Sequence, residues 1–594
     1  MADITDTDDA VAEGIASLEA ILNTGHAAGL LQQTKARSDE TVAYRFPLPT
    51  DYLGIERALH IGFPKGFPSA GLNLYVDPSP WLVWPHATKA GLCLHGFKEE
   101  PVTGSPDTVV RDSINRLKRI LSLSIQGANA DERNLEFQNE ITSYWIRQHG
   151  RSVRNVLLVG RPESASELFA LSDSRYIVPS GLESVWLSSD IKALGCHARR
   201  IMGRQVTICS PHVGGFFVKL KSYPGLRFPA PAELLSWILP HVSEEDANKL
   251  STWFSTTSAL ISRWLIMELP GKAGAPLYTL NIFARVDTSH RSPIFGSRSA
   301  HRKPLAIAGQ PPAIIYSSRL NVIDRADFYA RDLSGSIRGL EDAHVVFIGL
   351  GSLGGTVASQ LARSGLKHLT LIDPDTFESA NMGRHVLGMD DLGKFKVNAL
   401  KTKLMRDHPT SEVTAFNTYV QFALENKPDL LQSADLVIIT TADWESEASL
   451  WELKANGQSW ALIQGWSEPH TLVGHALASP QGDYDGRHLF SDNGDFSHKY
   501  TEWPEGGVVP LPACGESFIP GNAAGMNIIA TMITQASIQY LNGIKKGSLW
   551  LTSINCPADA QVQGGTYIGP DLPAGTIQTV LERVWPESKH EDGK

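Results

Sequence analysis

The run HVVFIGLGSLGGTVASQLARSG occupies residues 344–365. It reads as a buried apolar strand, a glycine loop and a helix. Gly349, Gly351 and Gly354 fit a GxGxxG spacing. Glycine permits the tight turn and lets the backbone approach phosphate oxygens, and the helix N-terminus that follows favours negative charge. The next strand, HLTLIDPD, reaches Asp373, where a carboxylate would accept hydrogen bonds from ribose hydroxyls. A loop of this kind with a carboxylate behind it suits an adenylating enzyme and an NAD-dependent oxidoreductase equally.

Outward from this run, strand and helix patterns alternate from residue 340 onward, through HVVFIG, HLTLID, ADLVIITT and ALIQGW. Such alternation predicts an α/β, Rossmann-like unit, with a parallel sheet between two layers of helices. Upstream, residues 151–325 read as mixed α/β. They hold the strand candidates NVLLVG, FFVKLKSY and LYTLNIFARV, a Leu- and Trp-rich helix near 232–268, and a Ser-, Arg- and Pro-rich linker over 286–312. Residues 1–150 read as α+β. A helical stretch runs from Ala10 to Leu31, strands lie in TVAYRFPLP, ALHIGFP and LNLYVD, and a helical pattern spans Val109 to Arg147. A chain of 594 residues exceeds what one core holds, and division at 1–150, 151–325 and 326–594 is expected.

The composition, 42% hydrophobic and 20% charged, supplies enough apolar material for sizeable cores. The net charge of −10 argues against a nucleic-acid binder working through a basic surface. The N-terminal MADITDTDDA is acidic and lacks the basic and apolar regions of a signal peptide. With no run of about 18 apolar residues, a cytoplasmic protein without a membrane span is expected. Cys93, Cys196, Cys209, Cys514 and Cys556 are few, odd in number and widely spaced, which argues against a disulfide framework. The absence of a CxxC pair excludes a four-cysteine zinc site.

The residues beyond Asp373 separate the two nucleotide chemistries. The run IDPDTFESANMGRHVLGMDDLGKFKVNAL, residues 372–400, pairs Asp373 with Asp375, places Asn381 and Arg384 in an N-x-x-R, and sets Lys396 three residues after Gly393. A dehydrogenase has no need of Asn, Arg and Lys after its ribose carboxylate. An adenylating enzyme must neutralise a triphosphate while a carboxylate attacks the α-phosphorus. Further on, VIITTADW ends next to Asp443. In this order the residues closely resemble the ThiF and ubiquitin-activating family. The resemblance implies that ATP is bound with Asp373 on the ribose, that Asn381, Arg384 and Lys396 contact phosphates, and that Asp443 holds Mg²⁺. Family members also use an arginine ahead of the first strand, often from the other subunit of a dimer. Arg331 in FYARDL takes that place, and a homodimer is implied. One departure is His385, where the family usually has Gln.

Two cysteines fit the thioester branch of that family. Cys514 lies in PLPACGESFIPGNAAG, after a polar, Gly- and Pro-rich stretch and before a long apolar helix. A thiol at the exit of such a loop is exposed enough to act as a nucleophile. Its setting is similar to that in autophagy-type activating enzymes, whereas Cys556, in TSINCPAD, reads as structural. Near the N-terminus, HIGFPKGFPSAGLNLYVD carries Phe63, Pro64, Phe67 and Pro68, and WPHATKAGLC carries His86, Gly91 and Cys93. Together they look like a ubiquitin-conjugating domain with Cys93 as its thiol. His86-Ala87-Thr88 departs from that family's His-Pro-Asn turn, whose Asn steadies an oxyanion; Thr88 is the candidate substitute. The two halves resemble the fused activating and conjugating enzymes of bacterial CBASS antiphage operons. That resemblance spans about 40–130 and 325–560. It implies ATP-dependent activation of a protein C-terminal carboxylate, with a CD-NTase as the partner, then thioesters on Cys514 and Cys93, and ligation to an amine-bearing target. Three other readings stay open at this point: an adenylyl- or sulfurtransferase for a carrier protein, an NAD-dependent oxidoreductase, and an adaptor whose N-terminal half is not catalytic.

Overall fold

The computed structural model describes residues 4–22, 27–94, 104–177, 183–202, 212–256, 263–271, 276–283, 314–335, 337–480, 485–511 and 517–585. The expected 286–312 linker lies outside them. Among the described residues no helix is long and apolar enough to cross a membrane.

The C-terminal part is built on an eight-stranded sheet. In spatial order its strands are Glu412–Phe416, His368–Ile372, His344–Ile348, Leu436–Ile439, Ala461–Ser467, Val473–Ser479, Leu549–Asn555 and Gln578–Arg583. The first five run parallel and the last three join antiparallel. Strands buried on both faces read as continuous apolar runs, and HVVFI and LVII do so. Val345 and Phe347 pack into a cluster with the helices Ser352–Arg363, Lys396–Asp407 and Ala523–Leu541. Val346 and Ile348 face Leu450 and Trp451 of the helix Trp444–Ala455 on the other side. Chain order reverses at His344–Ile348: the following strands go to one side, and Leu436–Ile439 returns to the other. In open α/β sheets ligands bind at such a point, beyond the carboxyl ends of the strands.

Residues 151–323 hold a closed barrel of seven strands. NVLLV lies in Arg151–Val159, FFVK in His212–Lys219 and LYTLNIF in Leu277–Phe283. The expected helix over 232–268 is corrected. Helices cover Leu234–Ile238 and Glu244–Thr256, but Arg263–Glu268 is a strand that pairs with both His212–Lys219 and Leu277–Phe283. Its WLIM run is buried on both faces, and a short apolar run of that kind has no period that separates helix from strand.

The N-terminal part is an antiparallel meander, Gln32–Thr34, Glu40–Pro47, Ala58–Pro64 and Asn73–Asp77, as its three longer strand patterns indicate. The helices Ile4–Leu22 and Pro106–Ser124 cover one face. Phe63 and Phe67 meet edge to face at 5.0 Å beneath the first of these. That helix ends earlier than the expected Leu31. The single helical pattern of 109–147 is three helices, Pro106–Ser124, Ala130–Asn139 and Ile141–His149. Gly127 at φ 84° breaks the first from the second, and Asn129 caps the second by accepting the amides of Asp131 and Glu132.

The helix Ala523–Leu541 seats on two glycines of the large sheet. A Cβ on Gly474 would stand 2.3 Å from Ile529, and one on Gly465 would stand 2.4 Å from Ile533. Gly474→Ala is expected to destabilise the C-terminal unit by about 1–3 kcal/mol through overpacking. The measurement is the thermal unfolding midpoint of the full chain, and an unchanged midpoint would mean that the helix is not seated there.

Candidate functional site

The three loop glycines do different things. Gly349 has φ 83°, and a Cβ there would lie 2.8 Å from the backbone of Thr440 and Thr441. Its carbonyl accepts the Thr440 hydroxyl at 2.9 Å. A Cβ on Gly354 would lie 2.0 Å from the Gly349 carbonyl oxygen, so glycine there lets the helix start under the loop. Gly351, which caps the helix Ser352–Arg363, has nothing within 4 Å of its Cβ position. The chain's own packing accounts for Gly349 and Gly354. It leaves open space over Gly351, at the helix N-terminus and the switch point, where an anion would lie.

Asp373 ends the neighbouring strand and is 5% exposed. One of its oxygens accepts the Leu350 amide at 2.5 Å and the other accepts the Asp375 amide at 2.8 Å. Burial pushes its carboxyl above the ordinary carboxylate value, against the Leu350 amide and the Lys396 ammonium. Asp373 therefore fastens the glycine loop. Lys396 opens its helix nearly buried, with Nζ 2.7 Å from the exposed carboxylate of Asp375. Its charge thus lies beside both aspartates.

Asn381 ends a short 3₁₀ turn, Ser379–Asn381, and its side-chain oxygen accepts the Glu378 amide at 3.0 Å. Arg384 is half-buried, with no ion pair among the described residues. Its neighbour His385 joins this segment to the loop. His385 Nε2 lies 2.7 Å from the Leu350 carbonyl, and Nδ1 accepts the Leu387 amide at 3.1 Å. With Nδ1 an acceptor, the proton sits on Nε2 and is donated to Leu350. Burial holds His385 below the ordinary imidazole value.

Asp443 follows the strand Leu436–Ile439 and caps the helix Trp444–Ala455, one oxygen accepting the amide and hydroxyl of Ser446. Ala442 beside it has φ 55°. Glu447 carries no motif, yet it shapes this loop from below. One of its oxygens accepts the Thr441 hydroxyl and the Ala442 amide, each at 3.0 Å, and the other accepts Gln464 Nε2 at 2.6 Å. Burial pushes its carboxyl up to about 7. In the sequence its one mark is its place four residues after Asp443. Among the described residues no group of three or more His, Cys, Asp or Glu could hold a metal ion. Mg²⁺ is commonly held by one or two carboxylates with substrate phosphates and waters, so Asp443 fits a site that the nucleotide completes.

Arg331 is not brought to this loop. Tyr329, two residues before it, donates to the carbonyl of Ala362 at the far end of the helix Ser352–Arg363. Twelve helical residues span about 18 Å, so Arg331 lies at the opposite end from Gly351. Cys514 lies outside the described residues. The strands Val509–Pro510 and Ser517–Phe518 pair on either side of it, and the Pro520 carbonyl accepts the amide of His470, which has φ 62°.

In the N-terminal part Cys93 is exposed, and its amide donates to the His86 carbonyl at 2.7 Å. The Thr88 hydroxyl donates to the Gly91 carbonyl at 2.9 Å and accepts the Ala90 amide at 3.1 Å. Its only proton is committed to the turn, so Thr88 has no donor to give an oxyanion in this conformation.

Gly354→Ala is expected to destabilise the C-terminal unit by about 3 kcal/mol or more. Gly351→Ala should change stability by less than about 1 kcal/mol. Thermal unfolding of both variants checks the contrast. His385 gives a pH prediction. Its folded value is depressed, so its contribution is present above the unfolded value of about 6.5 and is lost as pH falls below that and through the lower folded value. His385→Gln, which can still donate to Leu350, should flatten the loss of thermal stability between pH 7 and 5.

Residues 328–459 match the ThiF family model. Over 218 residues the chain is 26% identical to an ATP-dependent ubiquitin transferase-like protein Cap2 of Escherichia coli, covering 34% of this chain and 36% of that one. It is 30% identical over 141 residues to a tRNA threonylcarbamoyladenosine dehydratase of Haemophilus influenzae, covering 22% of this chain and 53% of that one. Among solved structures, E. coli MccB is 16% identical, with a TM-score of 0.31 over 44% of this chain and 70% of that chain. The chain thus spans about a third to a half of the length of these curated relatives. The glycine loop, Asp373, Lys396 and Asp443 all fall inside the matched segment, and residues 328–459 are a ThiF family domain.

Proposed function

We propose that the chain uses ATP to activate the C-terminal carboxylate of a partner protein and passes the acyl group through Cys514 and Cys93 to an amine. The observation that carries this reading is the open space over Gly351 at the switch point, with Asp373, Asp375 and Lys396 gathered beside it. ATP fits with its phosphates over Gly351 and its ribose near Asp373. Lys396 would shift from Asp375 toward the phosphates, with Asn381 and Arg384 on the same loop. Asp443 would hold Mg²⁺, which when bound neutralises phosphate charge. Arg331, beside the far end of the helix Ser352–Arg363, would serve this site only in a second copy, which favours a homodimer.

The partner's carboxylate oxygen attacks the α-phosphorus, and the bond to pyrophosphate breaks. The Cys514 thiolate then attacks the acyl carbon and AMP leaves. The Cys93 thiolate attacks that thioester and Cys514 departs as thiolate. An amine nitrogen finally attacks the Cys93 thioester, the C–S bond breaks, and the amine's proton passes to solvent. The exposure of Cys93 and the paired strands bracketing Cys514 suit these transfers. The likeness to the fused activating and conjugating enzymes of CBASS operons favours a CD-NTase as the activated partner in antiviral defence.

The test is incubation of the full chain with Mg-ATP and a candidate partner, followed by non-reducing gels and mass spectrometry. A reductant-sensitive adduct on Cys514, and one on Cys93 that vanishes in Cys514→Ala, is expected. AMP release with no thioester on either cysteine would leave an adenylyltransferase and overturn the relay. Lys396→Met and Gly351→Ala should each lower AMP release at least about tenfold, the scale of losing one phosphate contact.

A further inference from the structure

His86 does more than precede Cys93. It stands at φ 58°, a backbone conformation that side chains other than glycine rarely adopt, so its surroundings must hold it there. Three groups do so: Glu136 of the helix Ala130–Asn139, Tyr144 of the helix Ile141–His149, and Glu140 at the junction between them. His86 Nδ1 lies 3.1 Å from Glu140 Oε1, and Nε2 lies 3.4 Å from Glu136 Oε2. The His86 amide donates to the Tyr144 hydroxyl at 2.9 Å, and that hydroxyl donates to Glu140 Oε2 at 3.3 Å. Tyr144 is buried and packed against Trp81 and Phe137, with ring centroids 5.5 and 5.7 Å away. On its other side, the His86 carbonyl carries the Cys93 amide. One residue thus joins an acidic helix pair to the cysteine's backbone.

We propose that Glu136, Glu140 and Tyr144 are positioning residues for Cys93, acting through His86. While the imidazole carries both protons, two carboxylates and a phenol hold the turn from which the Cys93 backbone hangs. When it loses one, the latch loosens and the Cys93 segment is freed. This deepens the proposed function and rests on Cys93 as its second thiol.

The charged and titratable groups that face this imidazole are Glu136, Glu140 and Tyr144, with Arg147 near Glu140 and the Cys93 thiol near Tyr144. The Glu140 carboxylate, with Glu136, holds His86 above the ordinary imidazole value against its burial. Burial and Glu140 push Tyr144 upward, so the phenol keeps its proton. A raised His value means that the latch is closed at low pH and is lost as pH rises through that value.

The experiment measures the alkylation rate of Cys93 by iodoacetamide against pH, by peptide mass spectrometry on the full chain without ATP or partner. Exposed Cys196 is the internal control. Besides the thiol's own ionisation, the wild-type profile should show an inflection from His86 that His86→Gln removes. In the Glu136→Gln, Glu140→Gln double variant it should move to lower pH by about one unit or more, the usual effect of removing a close opposite charge. Tyr144→Phe should raise hydrogen exchange in the Cys93 peptide and leave Cys196 alkylation unchanged. If wild-type and double-variant profiles for Cys93 superimpose while thermal unfolding shows both proteins folded, the latch is wrong. Should the inflection respond as described while no thioester ever forms on Cys93, the relay fails and the latch stands.

Discussion

Gly349 and Thr440 approach so closely that no side chain can stand between them, and the C-terminal site is assembled around that contact. It is imposed by topology. Where chain order reverses, the loop leaving one strand must pass over the end of its neighbour, and only a residue without Cβ at positive φ makes the passage. Gly354 then lets the helix begin directly beneath the loop carbonyl. Because the strands are parallel, their loops gather at one end of the sheet. Asp373, Lys396 and Asp443 lie at that same end although seventy residues separate the first from the last.

Loops that must wait for a ligand need internal support, and here buried carboxylates supply it. Asp373 accepts the amides of Leu350 and Asp375. Glu447 accepts the Ala442 amide and the Thr441 hydroxyl. Glu468, 4% exposed, accepts the amides of Tyr500 and Thr501 and also meets His475 at 2.7 Å. Burying a charged group is unfavourable unless hydrogen bonds compensate, and each of these acids has at least two donors. The result is a set of fixed backbone dipoles in place before any substrate arrives, the condition under which they stabilise charge most effectively.

The glycine loop, the strand–helix alternation and the ordered charges after Asp373 were legible because their physics is local. A turn, a period and a spacing lie within a few tens of residues. His385 shows where legibility stops: its departure from Gln was visible, but its bond to the Leu350 carbonyl depends on a fold that brings the two together. Glu447 had no signal beyond its place in a helix. The partners of His86 come from helices more than forty residues downstream, within a region whose breaks at Gly127 and Asn129 the periodicity did not reveal. Likewise, nothing local in WLIM distinguishes a barrel strand from a helix, since closure is a property of seven strands at once. Thr88 looked able to replace an oxyanion donor until its proton was found committed to Gly91.

The closed barrel in the middle of the chain has a mechanical consequence. A flexible connector lets two ends sample many separations, and their mutual concentration falls smoothly as it lengthens. A barrel without free edges is a strut. Across a strut, the frequency with which two ends meet is set by direction and angle. The two thiols flank such a body in the chain, so a residue inserted at its borders would act as a change of aim more than a change of leash.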